Sequence, residues 1–265
     1  METITSRQNP VVKAAFALQR KRERQSQGRL LVEGAKCVEM ALESEWRIER
    51  AFFDERFLLS EAGGALASKA GGVEELYSVP EPVIRKLSTT DTPCPVIAVA
   101  KSNLGALAAL LPLPAGRYVV AHRTSDPGNL GTLIRIALAA GAKALFLTGD
   151  ACEVTNPKVV RSSMGALFHL PVVVEPKAEE LLGALKKAGI QIVAADPGGK
   201  LLYSEVKYPE RVAFLLGEES AGLEPGLLAA VDQRVRIPVA GPVGSLNVAV
   251  SGAVLLYEVL RQESG

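Results

Sequence analysis

The chain has 265 residues, enough for one or two domains with a sizeable core, and 48% of them are hydrophobic. No apolar run reaches the length of about eighteen residues that a transmembrane helix needs, and the polar segment Met1–Pro10 lacks the apolar core of a secretory signal. A net charge of +1 at pH 7 is not typical of a protein that binds polyanions with its whole surface. The 3 cysteines and 2 histidines are scattered, which predicts reduced thiols in the cytoplasm and no metal site.

The first part of the chain predicts a small alternating α/β domain of about a hundred residues. Residues 5–27 predict one helix, with apolar residues on one side and basic residues on the other. The elements predicted after it are strand Arg29–Gly34, helix Ala35–Leu42, strand Arg50–Asp54, a Gly-rich helix, strand 73–79, a helix that begins at Pro80 and strand Pro95–Ala100.

Basic residues are concentrated between positions 13 and 36, where only Glu23 and Glu33 oppose them. A local basic face can bind phosphate groups even when the net charge is small. A solvated helix face is the commoner explanation of such a run, so both interpretations stay open. The candidates for contact with nucleic acid are Arg20, Lys21, Arg22 and Arg24.

A segment rich in Ala, Leu and Pro lies between Ser102 and Arg117 and marks a domain boundary. We predict a first domain over residues 1–108, a linker over 109–116 and a second domain over 117–265. In the second domain short apolar runs alternate with helices, which predicts a parallel sheet covered on both faces. Its predicted strands are Tyr118–His122, Ala144–Thr148, Val172–Val174, Gln191–Ala195, Val212–Leu216 and Arg234–Val239.

Ligands of parallel sheets bind beyond the carboxyl ends of the strands, so the loops there are candidate site elements. The loop after Val120 contains an Asp-Pro-Gly-Asn turn, and its Asn129 is expected to cap the next helix. Arg135 follows in that helix between apolar neighbours, where a guanidinium needs a carboxylate or phosphate partner. The alternative is a structural ion pair with a glutamate of a neighbouring loop.

Two further loops follow buried strands. In the loop after Leu216, Gly217 and Gly222 permit close approach of the backbone to a ligand. Its adjacent carboxylates, Glu218 and Glu219, could receive a ribose hydroxyl or an amine, or they could be ordinary partners of a helix dipole. The loop after Val239 is built from Pro, Gly and small residues. We expect its Ser245 to cap an almost uncharged terminal helix, and we expect the polar Asn247 at the mouth of that helix to need a partner.

Together these loops resemble the SpoU family of RNA 2′-O-ribose methyltransferases, close to its TrmH-type members in the SPOUT class. The first motif lies at Asp126–Arg135, the second at Leu216–Leu223 and the third at Ile237–Val248. Asn156–Gly165 is also similar to a segment of many members. The N-terminal stretches Ile4–Pro10 and 30–34 look like the family's small substrate-binding domain. The resemblance covers nearly the whole chain, and three ordered motifs are highly specific.

The resemblance implies an α/β fold: a C-terminal parallel-sheet SPOUT domain with a trefoil knot, preceded by a small α/β domain that binds the RNA substrate. Members transfer a methyl group from S-adenosylmethionine to a ribose 2′-hydroxyl and bind this cofactor largely through backbone groups. It further implies a homodimer built on the terminal helix and the first-motif helix. No membrane or DNA partner is expected. The cofactor contacts implied by motif position are Leu216, Gly217, Ile237 and Leu246.

The family assigns the chemistry to Arg135, proposed as a base once a substrate phosphate is engaged. A deprotonated guanidinium is costly, so an electrostatic role, in which Arg135 binds phosphate and stabilises a developing alkoxide, is equally consistent. The residues that would orient Arg135, the ribose and the loops are Asn129, Glu219, Ser245 and Asn247.

Other functions are weighed against these motifs. A dinucleotide-binding enzyme would need G-x-G-x-x-G after its first strand, and a serine hydrolase would need G-x-S-x-G with a histidine; neither pattern is present. A catalytically inactive RNA-binding protein on the same fold and a methyltransferase of transfer RNA remain alternatives. The small N-terminal domain favours ribosomal RNA.

Overall fold

In the computed structural model, which describes residues 1–175, 177–218 and 220–264, the chain forms two compact units. The first unit comprises Met1–Asn103 and Glu153–His169, and the second comprises Leu104–Cys152 and Leu170–Gly265. Residues 153–169 thus pack with the N-terminal unit, a feature that the predicted boundaries did not include. Those boundaries remain a prediction.

The first unit contains a mixed five-stranded sheet with helices around it. Its strands, numbered along the whole chain, are β1 (Glu2–Thr3), β2 (Arg29–Glu33), β3 (Ile48–Asp54), β4 (Glu75–Val79) and β5 (Val96–Lys101). Their order is β1-β4-β3-β5-β2; β1, β4 and β3 are parallel, and β5 is antiparallel to β3 and β2. The helices are α1 (Pro10–Ala17), α2 (Lys21–Gln27), α3 (Ala35–Leu42), α4 (Glu55–Leu58), α5 (Glu61–Lys69), α6 (Glu81–Leu87) and α9 (Pro157–Ser162).

The single helix predicted over residues 5–27 is wrong, because the chain forms α1 and α2 with a turn between them. Leu18, which is 1% exposed, belongs to the core of the unit. The N–H groups of Leu18, Gln19 and Arg20 donate to carbonyls three residues back, which tightens and ends the first helix. Arg20 then adopts an extended backbone conformation, so α2 begins as a separate helix.

Two ion pairs, each with one buried partner, attach residues 153–169 to the rest of the first unit. The Arg24 guanidinium donates to both carboxylate oxygens of Glu153, at 3.0 and 2.6 Å. Glu33, 3% exposed, accepts hydrogen bonds from Thr89 and lies 3.4 Å from the guanidinium of Arg161. Arg24 and Glu33 are themselves buried, so removal of Glu153 or Arg161 would leave a buried charge with a partner missing.

The second unit is built on a seven-stranded sheet whose neighbouring strands are all parallel, which confirms the predicted parallel sheet. The strands are β6 (Gly116–His122), β7 (Ala144–Thr148), β8 (Val172–Val174), β9 (Gln191–Ala195), β10 (Leu201–Leu202), β11 (Arg211–Leu216) and β12 (Gln233–Arg236). Their order is β10-β12-β9-β11-β6-β7-β8. The helices are α7 (Leu107–Leu110), α8 (Pro127–Ala139), α10 (Ala178–Lys187), α11 (Pro225–Ala230) and α12 (Val248–Ser264).

The order of strands in this sheet brings the carboxyl ends of β12, β9, β11 and β6 side by side. The trefoil knot implied by the resemblance remains a prediction. None of the helices formed by residues 1–175, 177–218 and 220–264 is long and apolar enough to cross a membrane.

Helices α8 and α12 pack together closely because α12 has a glycine at the contact. A Cβ atom on Gly252 would lie 2.5 Å from Leu133 Cδ1 of α8 and 3.1 Å from Leu216 Cδ1 of β11. Both leucines are buried in the core. Any side chain at position 252 would therefore have to displace these buried leucines or shift α12.

We predict that Gly252→Ala lowers the free energy of unfolding by about 1–3 kcal/mol, the usual cost of overpacking a core. The matched control is Gly183→Ala in α10, where a Cβ would meet no atom within 4 Å. The control should be neutral or stabilising, because alanine favours a helix by about 1 kcal/mol. Urea denaturation of both variants measures the difference, and equal stability of the two would contradict the tight contact.

Candidate active site

A cavity of about 430 Å³ opens at the carboxyl edge of the seven-stranded sheet. It lies beyond the ends of β9, β11 and β12, in the size range of small-molecule sites. Its lining includes four residues predicted to contact the cofactor, namely Leu216, Gly217, Ile237 and Leu246. Ser245 lines it as well. The structure thus gathers residues of the second and third motifs around one space, and their roles remain predictions.

The second-motif loop forms one wall of this cavity and closes on itself. The N–H of Glu218 donates to the Gly222 carbonyl at 3.2 Å, and the N–H of Gly222 donates back at 2.9 Å. A Cβ on Gly217 would lie 2.6 Å from the backbone of Gly222, so only glycine fits there. Glu219 lies outside the described residues, and its orienting role stays a prediction.

The third-motif loop ends at Asn247, which caps the terminal helix. Its Oδ1 accepts the N–H groups of Ala249 at 2.9 Å and Val250 at 3.3 Å. The prediction that Ser245 caps this helix is wrong, because the helix begins at Val248 and Ser245 lies too far before it. The cap satisfies N–H groups that the start of any helix leaves unpaired.

The first and third motifs meet through their asparagines. Asn247 Nδ2 donates to Asn129 Oδ1 at 2.8 Å, which joins the starts of α12 and α8. The prediction that Asn129 caps α8 is wrong. The cap is Asp126, whose Oδ1 accepts the N–H of Asn129 at 2.8 Å. Asn247, which was expected to need a partner at the start of the terminal helix, therefore has one in the first motif.

Arg135 is exposed on α8 rather than enclosed by apolar side chains. Its neighbours Leu133 and Ile134 are buried, but the helical repeat turns Arg135 to the same side as the exposed Thr132 and Ala139. The structure gives Arg135 no ion pair with any residue that it describes, so the structural ion pair considered above is not found there. The guanidinium is open to an external anion.

Asp196 is a cavity residue that the sequence analysis missed. It lines the cavity after the end of β9, and its carboxylate binds Arg234 Nε at 2.8 Å and accepts the N–H of Gly198 at 3.1 Å. The sequence could have indicated Asp196, because this residue directly follows a strand of the parallel sheet, as the three motif loops do. With Glu218 it gives the cavity two carboxylates, beside the apolar walls of Leu216 and Ile237.

The predicted nucleic-acid contacts fall into two classes. Arg20, Lys21 and Arg22 are exposed in the first unit, where each is accessible to a phosphate. Arg24 differs from them because it is 4% exposed and its guanidinium binds the Leu18 carbonyl as well as Glu153. An RNA phosphate could reach Arg24 only by breaking these bonds, so its role is structural and its selection as a contact is corrected.

Comparisons with known proteins match both parts of the chain. The model of the SpoU rRNA Methylase family matches residues 116–257, and the MRM3-like substrate binding domain matches residues 9–98. The chain is 34% identical to an uncharacterized tRNA/rRNA methyltransferase of Synechocystis sp., over 98% of this chain and 94% of that protein. It is 31% identical to the 23S rRNA (guanosine(2553)-2′-O)-methyltransferase of Bacillus subtilis, over 98% and 99% of the two chains.

A solved structure agrees in fold over nearly the same length. The crystal structure of AdoMet-bound rRNA methyltransferase from Sinorhizobium meliloti is 32% identical, with a TM-score of 0.87 over 98% of this chain and 97% of that chain. The cavity and the contact between Asn129 and Asn247 both lie within the stretch that the methylase model matches. The chain therefore belongs to the SpoU rRNA methylase family.

Proposed function

We propose that Leu216, Gly217, Ile237 and Leu246 hold S-adenosyl-L-methionine in the cavity at the sheet edge. The protein is an S-adenosylmethionine-dependent RNA 2′-O-ribose methyltransferase that acts on ribosomal RNA. The observation that carries the assignment of the site is the cavity itself, which gathers residues of two motifs beside the Asn129–Asn247 contact. The apolar walls suit a flat base, and the carboxylates Asp196 and Glu218 suit hydroxyl or ammonium groups.

When bound, S-adenosylmethionine supplies a methyl group on a positively charged sulfur. With the ribose 2′-hydroxyl aligned behind that methyl group, the new O–C bond would form as the S–C bond breaks, the sulfur would keep the bonding electrons, and the hydroxyl proton would pass to water while the oxygen gains negative charge. Arg135 supplies an exposed, permanently charged guanidinium for this step. Its role is to bind the substrate phosphate and stabilise the developing alkoxide, because a guanidinium rarely gives up its proton.

The remaining motif residues position these groups. The Asn129–Asn247 hydrogen bond fixes the start of the helix that carries Arg135 against the start of α12. Ser245 lines the cavity and would orient the ribose, and Glu219 would orient the same group from the second-motif loop. Each of these side chains acts through geometry, since misplacement by about 1 Å can cost a large part of the rate.

RNA binding is assigned to the first unit, with Arg20, Lys21 and Arg22 as phosphate contacts. The match to a substrate-binding domain over residues 9–98 supports this assignment, and so does the exposure of the three basic side chains. Such contacts set the position of the RNA without reading its sequence. A cytoplasmic location is part of this proposal, and the free thiols of Cys37, Cys94 and Cys152 fit such a reducing compartment.

A homodimer is proposed with a second copy packed on α12 and α8. Two large apolar side chains of α12, Val250 and Tyr257, are 47% and 51% exposed. They lie two helical turns apart on one face, and the half-buried Ala253 and Val254 lie between them. An apolar face of this kind usually marks an interface, and the two-fold dimer is the commonest assembly. The family resemblance favours a second copy as the occupant.

We expect Arg135→Ala to lower methyl transfer by roughly a hundredfold or more, because removal of one group that stabilises a developing oxyanion has effects of that size. The affinity for S-adenosylmethionine should stay unchanged. Arg135→Lys keeps the charge and loses the two-pronged guanidinium. Its rate of methyl transfer should therefore lie between those of the wild type and Arg135→Ala. The control is Lys187→Ala, at an exposed cation of α10. Turnover near the wild-type rate in Arg135→Ala would refute the assignment.

We expect the triple variant Arg20→Glu, Lys21→Glu, Arg22→Glu to bind RNA more weakly and with a shallower dependence on salt, because fewer counterions are released on binding. The control carries the same change of charge in the second unit, at the exposed Lys143, Lys186 and Lys187. Filter binding at several salt concentrations measures the RNA affinity of each variant and its dependence on salt. Equal losses in the two variants would mean that only net charge matters and that the basic run has another task.

We expect Ala253→Glu to convert the dimer to a monomer and to abolish activity, because the new carboxylate would be buried unpaired in the interface. Ala229→Glu, on an exposed position of α11, is the control and should stay dimeric and active. Multi-angle light scattering gives the molar mass of each variant. A wild-type protein of monomeric mass that is fully active would exclude this dimer.

A further inference from the structure

His122 joins two neighbouring strands and the helix that follows the second motif. It ends β6 and is 5% exposed. Its Nδ1 lies 2.8 Å from Thr148 Oγ1, at the end of β7, and its Nε2 lies 3.0 Å from Glu224 Oε2. Glu224 directly precedes α11. The two ring nitrogens therefore lie beside the end of β7 and the start of α11.

The backbone around the imidazole leaves space for it. Gly149, directly after β7, has a φ of +65°, and a Cβ there would lie 2.8 Å from Arg123 Cγ and 3.1 Å from His122 Cε1. Arg123 itself adopts a φ of 54°, which a side-chain-bearing residue rarely adopts without a reason. Its guanidinium forms an ion pair with the second oxygen of Glu224. The strain at Arg123 is thus coupled to a contact with the same carboxylate.

Glu224 lies next to the cavity wall in sequence. Leu223, the residue before it, lines the cavity, as do Gly217 and Gly222 of the same loop. The Glu224 backbone N–H, together with the nearby His122 and Arg123 side chains, holds the pKa of the Glu224 carboxyl below its usual range. The carboxylate is therefore ionised at neutral pH and available to both neighbouring side chains.

The contact between His122 and Glu224 is close but loosely aligned. Nε2 of His122 and Oε2 of Glu224 are 3.0 Å apart, yet neither atom completes a hydrogen bond with any described residue. The hydroxyl of Thr124, which is 0% exposed, is also unsatisfied among the described residues. Buried polar groups are nearly always paired, so a set of three unsatisfied atoms needs an explanation. A ligand in the cavity that Leu223 lines would bring Nε2 of His122 and Oε2 of Glu224 into alignment.

We propose that His122 is a positioning residue for cofactor binding: with Glu224 it anchors the neighbouring cavity residue Leu223 to the ends of β6 and β7. This inference rests on the proposed function, because it assigns S-adenosylmethionine to the cavity. The anchor limits the movement of one cavity wall. Its loss weakens cofactor binding more than it slows the chemical step, since Arg135 lies on another element.

The test compares His122→Phe, Glu224→Gln and the double variant in the full-length protein. Isothermal titration gives the dissociation constant for S-adenosylmethionine, and steady-state kinetics give KM and kcat. Each single variant should bind the cofactor about tenfold more weakly, the effect of one charge-assisted hydrogen bond. The loss of affinity in the double variant should be smaller than the two single losses combined, because both single changes remove the shared contact between His122 and Glu224. The KM for S-adenosylmethionine should rise by a larger factor than the factor by which kcat falls.

Controls are available for each change. His169→Phe replaces the other of the 2 histidines, which is exposed in the first unit, and Glu179→Gln removes an exposed charge of α10. Both should bind the cofactor as the wild type does. Because the chain has 2 histidines, the NMR signal that disappears in His122→Phe or in His169→Phe identifies each imidazole ring. Addition of S-adenosylmethionine should shift the His122 signal and leave that of His169 in place.

The outcomes separate this inference from the function on which it rests. If the wild-type protein does not bind S-adenosylmethionine, the proposed function fails before any variant is compared. If it binds and Glu224→Gln binds equally well, the anchor is disproved. Glu224 is 40% exposed, so its variant should fold even if His122→Phe does not, and it then decides the question alone. A His122 signal that the cofactor does not move would also overturn the inference.

Discussion

The candidate site depends on the close packing at Gly252, where elements of all three motifs meet. Gly252 belongs to the helix that follows the third motif, Leu133 to the helix of the first and Leu216 to the strand that leads into the second. A Cβ at position 252 would lie within 3.1 Å of a methyl carbon on each leucine. This lack of a side chain lets α12 approach α8, and the hydrogen bond between Asn247 and Asn129 forms where the two helices start.

The parallel sheet supplies the second constraint. Because β12, β9, β11 and β6 are neighbours and run in one direction, the loops after them open at one edge. The cavity there combines buried apolar walls with carboxylates, whereas the guanidinium of Arg135 stays exposed on α8. The cofactor and the anionic substrate thus require different surroundings. In the proposed function the cavity at the sheet edge serves the cofactor, and the exposed cation serves the substrate.

Local patterns in the sequence predicted the parallel sheet and the three motif loops, because short apolar strands and turn residues carry their signals locally. Features that depend on distant contacts were missed or misjudged. The helix over residues 5–27 breaks because Leu18 turns into the core, and Arg24 is buried against Glu153 from a segment far along the chain. Hydropathy around Arg135 suggested burial, whereas the helical repeat turns its side chain to solvent. The caps were predicted at Asn129 and Ser245, but Asp126 and Asn247 form them, because a cap depends on the residue at which a helix starts.

The central claim is that this protein methylates ribose 2′-hydroxyls of ribosomal RNA. The most direct measurement is a map of 2′-O-methylated riboses in total RNA from cells with and without the gene, complemented by the wild type or by Arg135→Ala. The claim predicts that a ribosomal RNA methylation is lost with the gene and returns with the wild type alone. An unchanged map, or a loss confined to transfer RNA, would contradict it.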